Sequence, residues 1–527
     1  MGPRLDPERR TLSDHVPAKA VQRGLRGALF LSTAALLTAM PGAPATAVSG
    51  TWSQYQADAQ HTGASTGPAP PYRQTWTFKV APSGPPPGPA ASATPASSAS
   101  PSAGAGRTNQ QGLSAPSILP DGRLAASVGP TAVYGVDLST GEQAWKADRA
   151  YGPSATPAAI SAGGADSVLF TQGSDTEDSS IAAVDAATGK PVWDRDVPLK
   201  AVSRTGVAVD DGIAFMADDR GNVYAVDAAR GRLLWTVQVS GRPLGPLTVS
   251  GGDVLVTLAG EDRGLPVVEA LDAKTGKRRW QVAPDVFGSG ATSGVAHDGA
   301  FFVGLPDRAV HSFDLSDGAP RWTSQAFFSL PAPFGAGAAY GDDVIFVFFA
   351  DPSGDVRRLD GATGHTVWDF PLNEPVLRSS PVLSGGAVVL GMRDGSLAAI
   401  DAASGEQIFR SPPQGGLLGG IAVTPDLLVA VQGGVAGGLV AFEHDEGASI
   451  THVPSPSTLD PVDLVGRYAA AVAVIMVVLV APLWYLGRRR SPALADSNDS
   501  LSDPIEDAAF GDDADDDDDP DDGRSGS

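Results

Sequence analysis

VYAVDAARGRLLW, residues 223–235, has close copies along the chain: VYGVDLSTGEQAW at 133–145, IAAVDAATGKPVW at 181–193 and VEALDAKTGKRRW at 268–280. Each copy holds an Asp, a Gly four residues later and an aromatic eight residues later. The triplet recurs as Asp137, Gly141 and Trp145; Asp185, Gly189 and Trp193; Asp227, Gly231 and Trp235; Asp272, Gly276 and Trp280; Asp314, Gly318 and Trp322; Asp360, Gly364 and Trp368; and Asp401, Gly405 and Phe409. Glu443, Gly447 and Thr451 form a degraded eighth member. Successive anchors lie 48, 42, 45, 42, 46, 41 and 42 residues apart, the period of a propeller blade of four short strands.

Turn chemistry accounts for the spacing. An Asp carboxylate at a strand end accepts hydrogen bonds from the amides ahead of it, and a Gly four residues on takes the left-handed conformation that closes a bulged hairpin. The aromatic then falls on the next strand, where it can wedge between neighbouring sheets. One repeat reads as a whole blade, GVAVDD, GIAFMADDRG, NVYAVDAARG and RLLWTVQV, with Asp and Gly at the reversals. VIFVFFA at 344–350 is apolar on both faces, as a strand sandwiched between blades requires.

The last repeat lacks its aromatic, and a ring has to close. RQTWTFKV, 73–80, matches the outer-strand segment RLLWTVQV, with Trp76 in the aromatic position. The expected fold is therefore an all-β, eight-bladed β-propeller of four-stranded blades closed by an N-terminal strand, with seven blades as the alternative. Residues 48–80 form the closing segment, 81–106 a Pro/Ala/Ser-rich disordered tether, and 107–453 the propeller.

Both ends of the chain carry location signals. Arg23 and Arg26, the apolar run GALFLSTAALLTAM and the small residues before Val48 predict a signal peptide over 1–47. YAAAVAVIMVVLVAPLWYLG, 468–487, is free of charge and long enough as a helix to span a bilayer; Arg488, Arg489 and Arg490 follow it. This predicts a single-pass cell-membrane protein with an extracytoplasmic propeller, a juxtamembrane linker over 454–467 and a cytoplasmic tail over 488–527. Fourteen acidic residues between Asp496 and Asp522 supply more than half of the formal net charge of -23, so the tail reads as disordered. No basic stripe is present to neutralise phosphates, which argues against nucleic acid as a partner. With no cysteine in the chain, disulfides and thiolate chemistry are excluded.

The repeat A/V-x-D-x-x-T-G-x-x-x-W, clearest in AAVDAATGKPVW and EALDAKTGKRRW, resembles the PQQ-like (pyrroloquinoline quinone) repeat. The opening WSQYQADAQHTG, 52–63, followed by Trp76, is similar to the start of BamB-like propellers. The resemblance implies an eight-bladed ring with tryptophans docked between blades, and in its quinoprotein dehydrogenase branch PQQ held with calcium. No residue matches that branch's calcium ligands or base, and the seven histidines lack metal-ligand spacing. No catalytic or metal residue is assigned, and no cofactor is expected. The sequence points to a noncatalytic binding scaffold with a protein or small-ligand partner; a PQQ-dependent dehydrogenase and a single-pass sensor signalling through the acidic tail are the alternatives.

Overall fold

The computed structural model describes residues 52–80 and 112–453, apart from 163–164, 175–176, 261–264, 287–292, 327–333, 350–353, 373–379 and 434–436. The expected leader, spanning helix and tail lie outside these residues, as do the 454–467 linker and the tether. Among the described residues no helix is long and apolar enough to cross a membrane.

The strands form eight antiparallel sheets, one per blade. Blade three shows the plan: Ala208–Asp210 innermost, then Ile213–Ala217, Asn222–Asp227 and, at the outer edge, Arg232–Gln238. These are the four segments expected from the repeat. Blade four adds a short strand, Gly241–Pro243, beside the neighbour that also pairs with Thr248–Ser250. The seven-blade alternative is excluded by the eighth sheet. Its three inner strands, Leu418–Val423, Leu428–Gln432 and Gly438–His444, are joined at the edge by Tyr72–Lys79. The N-terminal strand thus lies antiparallel to the last strand of the ring, with Trp76 opposite Ala441.

Each repeat turn is built as its residues dictate. In blade one the Asp137 carboxylate accepts from the amides of Ser139 (2.9 Å) and Thr140 (3.1 Å), while the Gly141 amide donates to the Asp137 carbonyl (2.8 Å). A register shift between Gly135 and Val136 marks the bulge. The Ser316 hydroxyl and then Arg321 hold the Asp314 carboxyl well below the usual carboxylate range; Arg279 and Thr275 bring Asp272 down to about 2.

The aromatic acts on the following blade. The Trp145 indole donates to the carbonyl of Ala186 (2.8 Å), the residue after the next anchor, and its ring lies under Gly189. A Cβ on Gly189, whose φ is +69°, would stand 2.7 Å from that ring. The same donation links Trp193 to Ala228, Trp235 to Ala273, Trp280 to Leu315, Trp322 to Gly361 and Trp368 to Ala402, at 2.9 to 3.2 Å. Trp76 closes the series on Leu138 (2.8 Å). At the remaining seam, between blades seven and eight, Phe409 meets Tyr72 edge-on at 5.4 Å. Trp235, Trp322 and Trp76 are only half-buried, whereas Trp145, Trp193, Trp280 and Trp368 are buried.

Blade packing is apolar. Val344, Ile345, Phe346 and Val347 are fully buried in the strand Asp343–Phe349, as the two-sided apolar run requires.

Candidate functional site

Strand order gives the ring two unlike faces. The Asp/Gly turns and the hairpins that leave the innermost strands lie on one, here the turn face; the remaining connections lie on the other, the loop face. Residues 52–63 cover the axis on the turn face. They form no regular strand, yet they take one amide from the innermost strand of seven blades in order. Ile118 donates to the Trp52 carbonyl, Ala159 to Ser53, Val249 to Ala59, Ala296 to Gln60, Ala339 to Thr62 and Leu383 to Gly63, at 2.6 to 2.9 Å. In blade three the Gln54 side chain substitutes for backbone, accepting from the Val209 amide (2.7 Å) and donating to its carbonyl (3.0 Å). Beyond them Gly67 presses on Val423 and Thr424 of blade eight, where an added Cβ would lie 2.9 Å from the Thr424 carbonyl oxygen.

Side chains of the segment fill the space inside. Gln56 donates to the Gly337 carbonyl (2.8 Å) and Gln60 to that of Val249 (2.9 Å). The Tyr55 hydroxyl lies 2.6 Å from Ser380 Oγ and accepts from Ser293 Oγ (3.2 Å), and burial raises its pKa. His61 stands edge-on to the Tyr55 ring at 5.0 Å, with Nδ1 3.1 Å from the Gly294 carbonyl. Burial lowers the His61 pKa to about 4, so the ring is neutral at physiological pH; the same Nδ1 lies 3.1 Å from Thr248 Oγ1, which donates to the Gly294 carbonyl (2.9 Å). Gln56, Ala57 and His61 all have positive φ, a conformation unfavourable for side-chain-bearing residues that the surrounding hydrogen bonds hold in place.

On the loop face, the buried charged groups Arg149, Asp218 and Asp355 brace connections. Arg149, buried, donates to the carbonyls of Ala150, Pro153 and Thr171 (3.0 to 3.1 Å). Asp218 accepts from Asn222 Nδ2 and from the Tyr224 hydroxyl (2.7 Å) within one turn. Asp355 accepts from Arg357 (3.0 Å), and burial pushes its carboxyl up to about 7 despite that partner.

At blade eight the C-terminal chain does not make the eighth Asp/Gly turn, because the outer strand comes from the N terminus. Glu443 instead pairs with Arg73, and two adjoining grooves of about 750 and 450 Å³ open beside Asp426 and Glu443. The chain continues to the outer edge of blade seven, where Val453 and Gln407 exchange backbone hydrogen bonds at 2.8 and 3.0 Å.

The repeat residues are thus spread around the ring in turns and blade contacts and do not converge on one site. The acidic pairs at 210–211, 218–219 and 342–343 lie at strand reversals. His365 is exposed beside its turn. Among the described residues no group of three or more carboxylate or imidazole side chains is placed to hold a metal ion. The axial segment was legible only as a family-like opening; its Gln and His residues have no spacing that announces seven separate partners.

A family model described as outer membrane protein assembly factor BamB matches residues 177–327 and 306–481. The BamB of Burkholderia pseudomallei (strain K96243) is 26% identical over 246 residues, 44% of this chain and 60% of that protein. The chain spans 53 to 60% of the length of the three BamB relatives that match it over the greatest length. A quinohemoprotein alcohol dehydrogenase of Pseudomonas putida is 34% identical over 119 residues, 20% of this chain and 17% of that enzyme. Among solved structures, another quinohemoprotein alcohol dehydrogenase, from Pseudomonas putida HK5, superposes with a TM-score of 0.56 at 12% identity, covering 78% of this chain and 83% of that one. At that identity the likeness is one of fold.

Proposed function

The chain belongs to the family of the outer membrane protein assembly factor BamB, a family of PQQ-like propellers, and from that membership we propose that it is a noncatalytic scaffold that binds a protein or small-ligand partner on its propeller. Function in a propeller resides in its faces and channel, since the fold itself hosts many unrelated activities. The observation that carries the reading is the axial segment: one end of the channel is occupied by the chain's own residues 52–63, bonded to seven blades. Gln54, Gln56 and Gln60 of that segment are hydrogen-bonded to blades three, six and four.

The proposal extends to location. The scaffold is extracytoplasmic and attached to the cell membrane by a single helix over 468–487, with the acidic tail inside; the charge-free run and the three arginines after it support this. The membrane association named in the relatives' titles is in keeping with it, although this chain's attachment would be its own.

The dehydrogenase alternative is favoured by one observation, the 34% identity to the quinohemoprotein alcohol dehydrogenase over 119 residues. Calorimetric titration of the propeller, residues 48–461, with PQQ and calcium separates the two. The scaffold predicts no saturable heat; one-to-one binding would overturn it in favour of the enzyme.

A further inference from the structure

Each blade ends at its rim in an outer strand whose far edge could accept another strand, and proteins guard such edges with charge, proline, shortness or a covering segment. Seven of the eight rims are guarded. Lys146 and Asp148 stand exposed on blade one. The outer strand of blade two, Val197–Leu199, is three residues long with Pro198 at its centre. Arg278–Val282 of blade four begins on two exposed arginines, and Pro320–Thr323 of blade five on Pro320 and Arg321. Thr366–Leu372 of blade six contains Asp369 and Pro371, and Gln407–Arg410 of blade seven is covered at Gln407 by Val453. Tyr72–Lys79 of blade eight carries Arg73 and Lys79 near its two ends.

Arg232–Gln238 of blade three is the exception. Its LLWTVQ, 233–238, has neither charge nor proline. Leu233 and Leu234 are 42% and 37% exposed, and among the described residues no strand lies beside the outer edge. We propose that this edge pairs antiparallel with the same edge of a second copy of the chain, about a twofold axis at Trp235, joining the two blades into one continuous sheet. The strand is complementary to itself. In that register Leu233 of one copy faces Val237 of the other, Leu234 faces Thr236 and Arg232 faces Gln238, so no like charges are opposed. The same operation at blade eight would set Arg73 against Lys79. The ring tolerates added backbone at a rim, since Val453 and Gln407 exchange two backbone hydrogen bonds at the edge of blade seven. An edge of seven residues is smaller than the roughly 1,200 Å² that a stable interface buries, so the association is reversible and depends on concentration. It is independent of the scaffold reading, which concerns the faces and channel.

Sedimentation equilibrium of the full-length protein in density-matched detergent tests the pairing. The mean mass should climb from one chain toward two as concentration rises from about 1 to about 100 µM. Leu234→Lys, which brings two ammonium groups beside the twofold axis, should raise the dissociation constant at least about tenfold. Leu233→Lys, at the neighbouring exposed site, should do the same and serves if the first variant fails to fold. Val367→Lys places the same charge at an exposed site on the outer strand of blade six and should leave the dissociation constant within about twofold of the parent value. A parent protein that stays monomeric over this range, or a dimer that persists in both leucine variants, would overturn the proposal.

Discussion

At the scale of the residue, the indole and the repeat glycine are two halves of one contact. The sequence places them in the same repeat, eight and four residues past the anchor, and that spacing is legible as turn chemistry. That the ring of one repeat rests on the glycine of the next is not, because the contact lies between blades. This sets the energetics of substitution. Trp368 is buried with its Nε1 on the Ala402 carbonyl, so Trp368→Ala should lower stability by about 3 to 5 kcal/mol in denaturant unfolding. Trp235 is half-buried, so Trp235→Ala should cost clearly less; equal losses would contradict this division. His61 supplies a pH signature. Unfolded imidazole titrates near 6.5 and the folded one near 4, so the unfolded chain binds more proton between those values. This contribution is fully present above about 6.5 and falls as pH drops through the window, by about 3 kcal/mol in all. A His61→Gln variant should lose that portion of the pH dependence, measured as unfolding midpoints from pH 7 to pH 4.

At the scale of the element, the informative failure of the repeat is in blade eight. Thr451 in place of an aromatic, and the likeness of RQTWTFKV to an outer strand, were enough to predict that the N terminus supplies the missing strand. Pairing of Tyr72 with His444 through Lys79 with Gly438 is that closure. The C-terminal path was not legible, since Asp445 and Gly447 signal a turn but nothing in 448–453 assigns the chain to the edge of blade seven. Deleting 52–80 removes both the eighth blade's outer strand and the axial segment. The expected result is a chain that loses cooperative unfolding, because a propeller with an open seam exposes the apolar faces of blades seven and eight. An undiminished two-state transition, followed by tryptophan fluorescence and circular dichroism together, would show that the ring closes without them.

At the scale of the whole molecule, periodicity made the ring readable, and the same periodicity hid its centre. Each blade announces itself in about 42 residues, but residues 52–63 take an inner-strand amide from each of seven blades, with partners up to 320 positions away in the chain, as between Gly63 and Leu383. No local pattern can encode such contacts. They make the N-terminal segment a clasp that joins seven of the eight blades at the axis and closes one mouth of the channel. The scaffold reading depends on that occupancy being stable in solution, and amide hydrogen exchange tests it most directly. The amides of Ile118, Ala159, Val209, Val249, Ala296, Ala339 and Leu383 should exchange as slowly as those of the central strands, and all seven should speed up together when residues 52–63 are deleted. Fast exchange at these seven positions in the intact protein, with the flanking strands still protected, would mean that the axial segment is not held and that the channel is open at both ends.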